Sequence, residues 1–428
     1  MRQVLAVILC MFIIPISTSY LQNYTIDVQS NSQIAETYMD HDFISILGND
    51  DFLSQAVNEG WQGSGTRENP IIIEGYRIQM SRHLFRVVNT NLHFIFTDCY
   101  LDGIDGTWCG LYLANVTNGV IRNTIVRNSA ISFHMVEIFN CTMMNNELHD
   151  NYNDGIVLEL ACKGNNITSN LIYDNDENGI LLDFGCENNL VMHNEIYDNG
   201  GNGIYIWPDS ATLSATRNWI KNNNVSRHSV GISIQGHENY VSENTIINSY
   251  SAGILCGGEQ NAIINNTIRD GRRDGIKLYS YANNIFVSSN SIQNNTNRGI
   301  IISSTCDNNS VIHNDLIKNN VTCQMWDDGE NNFFSNNYYS SWNAPDDNND
   351  GKVDIPYPIG GDAASLDLYP SSLPNCVTPV WYTYSLVTGS TIVESSEENY
   401  DFEIRMLALV IIVACGIVIL GLRSRHLR

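Results

Sequence analysis

The sequence predicts an all-β fold, a single-stranded right-handed parallel β-helix of about ten stacked coils. Three observations predict it: a glycine–aliphatic pair that returns about every 24 residues, an asparagine series in phase with it, and three strand-length apolar runs per period. The pair occurs at Gly110-Leu111, Gly155-Ile156, Gly179-Ile180, Gly203-Ile204, Gly231-Ile232, Gly253-Ile254, Gly275-Ile276 and Gly299-Ile300. The asparagines are Asn123, Asn146, Asn170, Asn194, Asn218, Asn244, Asn266, Asn290, Asn314 and Asn336. Runs such as Ile180–Leu182, Leu190–Met192 and Glu195–Tyr197 are too short for helices and are separated by Asn, Gly and Asp. Three strands per coil make a triangular tube with coils about 4.8 Å apart, so equivalent residues stack. Asparagines at one corner can then hydrogen-bond to the amides above and below, while inward Ile, Leu and Val form a continuous core. Parallel strands joined in this way wind right-handed.

The elements follow in order. Residues 1–19, with Arg2, an apolar run from Val4 to Ile16 and Ser17 to Ser19, read as a secretory signal. Residues 20–60 form an N-terminal segment and cap, in which Asp50 caps a short helix carrying Phe52, Leu53, Ala56 and Val57. The β-helix spans 61–340, and a C-terminal cap with an Asp/Asn loop spans 341–375; a stack left open would expose strand edges at both ends. Residues 376–403 are rich in Thr, Ser and Glu and read as a stalk. Residues 404–423 read as a transmembrane helix, and the basic tail 424–428 places the C-terminus in the cytoplasm. The expectation is a single-pass cell-membrane protein with an extracellular ectodomain.

Lys and Arg number 22 against 46 Asp and Glu, a formal net charge of −24, which argues against nucleic acid as a partner. Nine of the 11 cysteines lie between the apolar ends, where disulfides are permitted. Cys162 and Cys186 share an offset from their repeat glycines, which suits either a disulfide or a ladder of free thiols. Sequons, for example at Asn115, Asn140 and Asn294, permit glycosylation.

Near the end of the repeats come Ser335 to Trp342, the loop Asp346 to Gly351, Asp354 to Ile359, and Asp367 to Pro370. At the entry stand Gly63 to Thr66 and Asn69 to Tyr76. With these segments the chain, over about Trp61 to Pro374, resembles the NosD-like, or CASH-domain, β-helix proteins of archaeal and bacterial surfaces and periplasm. That resemblance implies a surface protein that binds or cleaves carbohydrate, or an accessory protein for copper sites. Copper needs converging soft ligands, and Met143, Met144, Met192 and His193 are the only local group, too thin a set to expect it.

Alternation along the strand that opens each coil turns Asp154, Val157 and Glu159 outward, then Asn178, Leu181 and Asp183, then Asn202, Tyr205 and Trp207. Further coils add Gln235, Lys277 and Tyr279. Stacking brings Glu159 and Asp183 about 5 Å apart at the backbone. Two carboxyls beside flat aromatic faces are what a glycan-cleaving groove uses. One reading is a polysaccharide lyase or hydrolase with Glu159, Asp183 and Lys277 or Arg273. Another is a passive face for glycans or surface proteins, with Tyr205, Trp207, Gln235, Arg273 and Tyr279 as contacts. Plain solvated surface is the third, so catalysis stays open, as does the oligomeric state. Asp346, Asn348, Asp350, the Lys352 carbonyl and Asp354 follow the first part of an EF-hand-like loop, with Gly351 at its sixth position. Position 12 is Tyr357 rather than a bidentate Glu, which leaves Ca²⁺ and an unliganded turn as alternatives.

Overall fold

The computed structural model describes residues 38–376 apart from 105, 107, 208–213 and 320–322. The signal, stalk, transmembrane and tail expectations lie outside the described residues. Among the described residues no helix is long and apolar enough to cross a membrane.

The strands build three parallel sheets, each returning to itself at every third strand. Sheet A has 13 strands, from Met39–Asp40 to Tyr338–Tyr339; sheet B has 12, from Ile44–Leu47 to Met325–Asp327; sheet C has 12, from Ile71–Glu74 to Phe333–Ser335. The stack is therefore longer than the ten coils expected. The repeat governs the register: Ile156, Ile180, Ile204 and Ile232 pair in succession and are fully buried. Each repeat glycine is required sterically. A Cβ on Gly179 would stand 2.5 Å from Ile196 Cγ2 and 2.6 Å from the Gly203 carbonyl oxygen.

The stack starts before residue 61. Met39–Asp40 pairs with the strand Tyr76–Met80, and Ile44–Leu47 pairs with Phe85–Thr90. Helix α1 (Asn49–Glu59) interrupts this first coil instead of preceding it. The residue before α1 is Gly48, with φ 102°, and no side chain caps the helix, so Asp50 is not its cap. Asp51 instead accepts a hydrogen bond from the Leu47 amide. Phe52 and Ala56 are buried, with the Phe52 ring 5.3 Å from Phe94, whereas Leu53 and Val57 face out. The other end is closed by Tyr339 stacked on Tyr357 at 3.6 Å, and by the antiparallel pair Tyr357–Pro358 with Leu366–Asp367.

The asparagine ladders differ from the expected single series. The column Asn146, Asn170, Asn194, Asn223, Asn244, Asn266, Asn290, Asn314 and Asn337 is continuous; each member's amide groups donate to Oδ1 of the next. It ends on Asp367, whose Oδ2 accepts from Asn337 N and Nδ2 and from the Tyr339 hydroxyl. Asn218 belongs to a second column, Asn165, Asn189, Asn218, Asn239 and Asn261. The coil after Asn194 is longer, 29 residues against 24, which shifts the phase by a strand. Asn123 and Asn336 sit outside the ladders, at φ 49° and 57°, in the left-handed turns that Asn tolerates. A third column runs Asn151, Asn175, Asn199 and then His228, which accepts at Nε2 from Asn199 Nδ2. Cys162 and Cys186 stack as free thiols, and all nine cysteines from Cys99 to Cys376 are free.

Candidate functional site

Sheet B holds most of the residues singled out in the sequence, and its outward positions line up across coils. The register places Arg86, Tyr112, His134, Val157, Leu181, Tyr205, Ser233, Leu255, Lys277, Ile301 and Trp326 in one column. Beside it, just past the strand ends, Asp183, Trp207, Gln235, Gly257 and Tyr279 each donate a backbone amide to the coil before. Glu159 opens that second row, at the end of the strand Ile156–Glu159.

Glu159 and Asp183 are neighbours, near enough for the charge of one to act on the other. Burial raises the Asp183 carboxyl, the Phe184 amide pulls it back, and the charges of Glu159 and Asp154 raise it further. Glu159 also has a partner that sequence reasoning missed: His134, one coil earlier, approaches its Oε2 through Nε2 at 2.9 Å. The Tyr112 ring stands edge-on to His134 at 5.4 Å. His134 was hidden because its coil opens Ser132-Phe133 rather than Gly-Ile. The signal available was the alternation of Phe133, His134 and Met135, in which the histidine alone faces out.

Tyr205 and Trp207 form a tilted pair at 5.0 Å, and Trp207 is 42% exposed. Gln235 donates through Nε2 to the Tyr205 hydroxyl at 3.2 Å. Burial, with a contribution from Tyr205, pushes the Tyr279 phenol up to about 12. The Tyr279 ring lies against Gly257, where a Cβ would meet it at 3.6 Å. Ser233 and Gly257, both small and buried, lie between the two aromatic groups along the stack.

Other expected members fall elsewhere. Lys277 is four coils beyond Asp183, roughly 19 Å along the stack, so it cannot act on the same bond as the carboxyl pair. Arg273 is exposed in the loop leading to the strand Asp274–Leu278, in the same distant coil. Asp154 and Asn178 are buried rather than outward, and Val157 keeps its outward position but is covered there; Asp154 Oδ1 accepts from the Asn178 amide groups, closing a short ladder at the strand entry. Met143 is buried in the core, and Met144 and Met192 are separated by Thr168 in the column between them.

In the lid loop, Asp346 accepts from the amides of Asp350 and Gly351, Asn348 from Asp350, and Asp350 from Lys352. Gly351 has φ 85°, a left-handed turn that suits glycine. Asp354 faces the Asp347 amide at 2.8 Å. Among the described residues no group of three or more His, Cys, Asp or Glu is arranged to hold a metal ion.

The fold defines a parallel β-helix protein, with polar, aromatic and aliphatic side chains mixed along the outward column of one sheet. Residues 85–225 and 202–351 match the family model described as right handed beta helix region, and the chain belongs to that family. No curated protein matches it in sequence. Among solved structures it is similar to a mannuronan C-5 epimerase A-module from Azotobacter vinelandii, at 18% identity and a TM-score of 0.43, covering 62% of this chain and 74% of that one. An alginate lyase from a Paenibacillus species is similar at 16% identity and a TM-score of 0.42, covering 68% and 97%. DFA-IIIase from Arthrobacter chlorophenolicus is similar at 11% identity and a TM-score of 0.45, covering 66% and 93%.

Proposed function

We propose that sheet B is a carbohydrate-binding face, presented outside the cell by an exported and membrane-anchored chain. The observation that carries the reading is the Tyr205–Trp207 pair, 5.0 Å apart with Tyr205 braced by Gln235, beside the Glu159–Asp183 carboxyls. Flat rings take the apolar faces of sugars, and carboxyls and amides take their hydroxyls. The test is retention on a glycan array. Replacing Tyr205 and Trp207 together by alanine is expected to weaken retention by at least about tenfold, a loss of about 1.4 kcal/mol. Unchanged retention by the double variant would remove the reading.

Asp183 favours a second reading, glycoside hydrolysis, since its raised carboxyl is suited to give a proton beside the second carboxyl, Glu159. Lys277 and Arg273 have no part in it. Product analysis on the same array separates the two readings, because Asp183→Asn would stop cleavage and leave retention.

The loop 346–354 supports a further proposal, that Ca²⁺ fixes the C-terminal lid. Its bends at Asp346, Asn348, Asp350 and Gly351 are those of the first half of a calcium loop. Added Ca²⁺ is expected to raise the melting temperature, and Asp346→Ala with Asp350→Ala to abolish the rise. An equal rise in the double variant would exclude this loop.

A further inference from the structure

We propose that Cys109, His134 and Glu159 form a nucleophile–base–acid triad on sheet B that hydrolyses small acyl esters. This inference stands apart from the carbohydrate reading and shares only Glu159 with it.

The three residues come from three successive coils. Cys109 lies in the turn before the strand Leu111–Thr117, His134 on Phe133–Phe139, and Glu159 at the end of Ile156–Glu159. The Cys109 sulfur is 3.7 Å from His134 Nδ1, and His134 Nε2 is 2.9 Å from Glu159 Oε2. In the triad the Glu159 oxygen is the acceptor of this contact, which assigns the imidazole hydrogen to Nε2. Nδ1 then presents its lone pair to the thiol. This is the nucleophile–base–orienting-acid arrangement that activates a thiol.

Cys109 differs from the other buried cysteines. Cys99, Cys141, Cys162, Cys186 and Cys256 belong to the apolar core and are at most 1% exposed, whereas Cys109 is 7% exposed and outside that core. A hydrogen bond between His83 and the Cys109 backbone holds the turn, and Trp108 beside it packs edge-on to His83 at 5.0 Å. Burial pushes the Cys109 thiol up to about 12, so the sulfur rests as a thiol. Reactivity then depends on His134 taking the proton during attack.

In the first step the sulfur bonds to the ester carbonyl carbon while the thiol proton passes to His134 Nδ1. The carbon–oxygen bond to the alcohol breaks, and the leaving alkoxide takes that proton, leaving a thioester on Cys109. In the second, water gives a proton to Nδ1 and attacks the thioester carbonyl. The carbon–sulfur bond breaks, the thiolate recovers the proton, and a carboxylic acid leaves. The sum is ester plus water to acid plus alcohol.

The test treats the full-length chain with p-nitrophenyl acetate, following p-nitrophenol release and locating the acetyl group by peptide mass spectrometry. Acetylation at Cys109 is expected, with Cys109→Ala removing it and His134→Ala slowing it by about 100-fold or more. Glu159→Gln should slow it by about tenfold or more. Melting curves of the variants show whether the coils remain folded; for any variant that unfolds, iodoacetamide labelling of the native chain at Cys109 against core Cys99 supplies the readout. The proposal is overturned by acetylation elsewhere, by no acetylation, by an equal rate in folded His134→Ala, or by native labelling of Cys99 as fast as Cys109. Glycan retention by Cys109→Ala separates the outcomes: failure of the triad leaves it intact, whereas failure of the carbohydrate face is seen in the wild type itself.

Discussion

Asn194→Ala is expected to cost about 4 kcal/mol of stability, the largest effect of any single substitution considered for this protein. Its Oδ1 accepts from Asn170 N and Nδ2, both at 2.9 Å, and its Nδ2 donates to the Ile167 carbonyl at 2.9 Å and to Asn223 Oδ1 at 3.0 Å. Alanine leaves three buried groups facing the gap without partners: the Asn170 amide, one hydrogen of its side chain and the Ile167 carbonyl. Each orphan costs about 1–3 kcal/mol, and no water reaches this corner at 1% exposure. Asn123→Ala is the control. It lies in an exposed left-handed turn, so its expected cost is about 1 kcal/mol. Urea melts of the two variants check the difference; equal midpoints would show that the ladder contributes no more than the turn.

Acid should destabilise the protein through His228. Burial lowers its imidazole from 6.5 to about 3, only partly opposed by Asp198. The folded state therefore binds fewer protons than the unfolded state between these values. Stability is fully present above the ordinary histidine value and is lost as the pH falls below it, at about 1.4 kcal/mol per unit. From 6.5 down to about 4.5 the expected loss is about 2 kcal/mol. Asp154, Asp274, Asp315 and Asp367 act in the opposite sense, since burial raises each of them and favours the folded state in acid. The measurement is accordingly the difference between wild type and His228→Asn, which restores the ladder's usual residue. The variant should lose less stability on acidification; parallel pH profiles would show that His228 is not the group responsible.

These two positions also show how far the sequence could be read. The Gly-Ile pairs marked one strand of every regular coil because a side chain at the glycine would strike the next coil's carbonyl, a constraint that leaves one letter. The asparagine columns were legible where the coil length stayed within a few residues of 24. The long coil after Asn194 passed the phase to Asn223, and Asn218 looked like the continuation although it caps a neighbouring corner. The column containing His228 was invisible, since donors and acceptors of different residue types fill equivalent rungs. The Glu159–Asp183 pair and the Tyr205–Trp207 platform followed from alternation. His134 and Cys109 did not, because one sits in a coil without the glycine signal and the other in a turn, where alternation has no meaning. Asp154 and Asn178 were assigned to the outer surface by the same alternation, extended two residues too far into a bend.

The final rung of the longest ladder sets a rule for how such a molecule can change length. From rung to rung, every asparagine in it gives to the next side chain on the C-terminal side and takes from the one on the N-terminal side, so the row has a head and a tail. Asp367 stands at the head and takes hydrogens from Asn337, Tyr339 and Tyr369. An acid side chain there has no amide to pass hydrogens on, so another turn docked behind it would find nothing to receive. Lengthening must therefore occur by duplication within the row, where a new turn inherits both a giver and a taker, and the terminal acid can stay in place whatever the count.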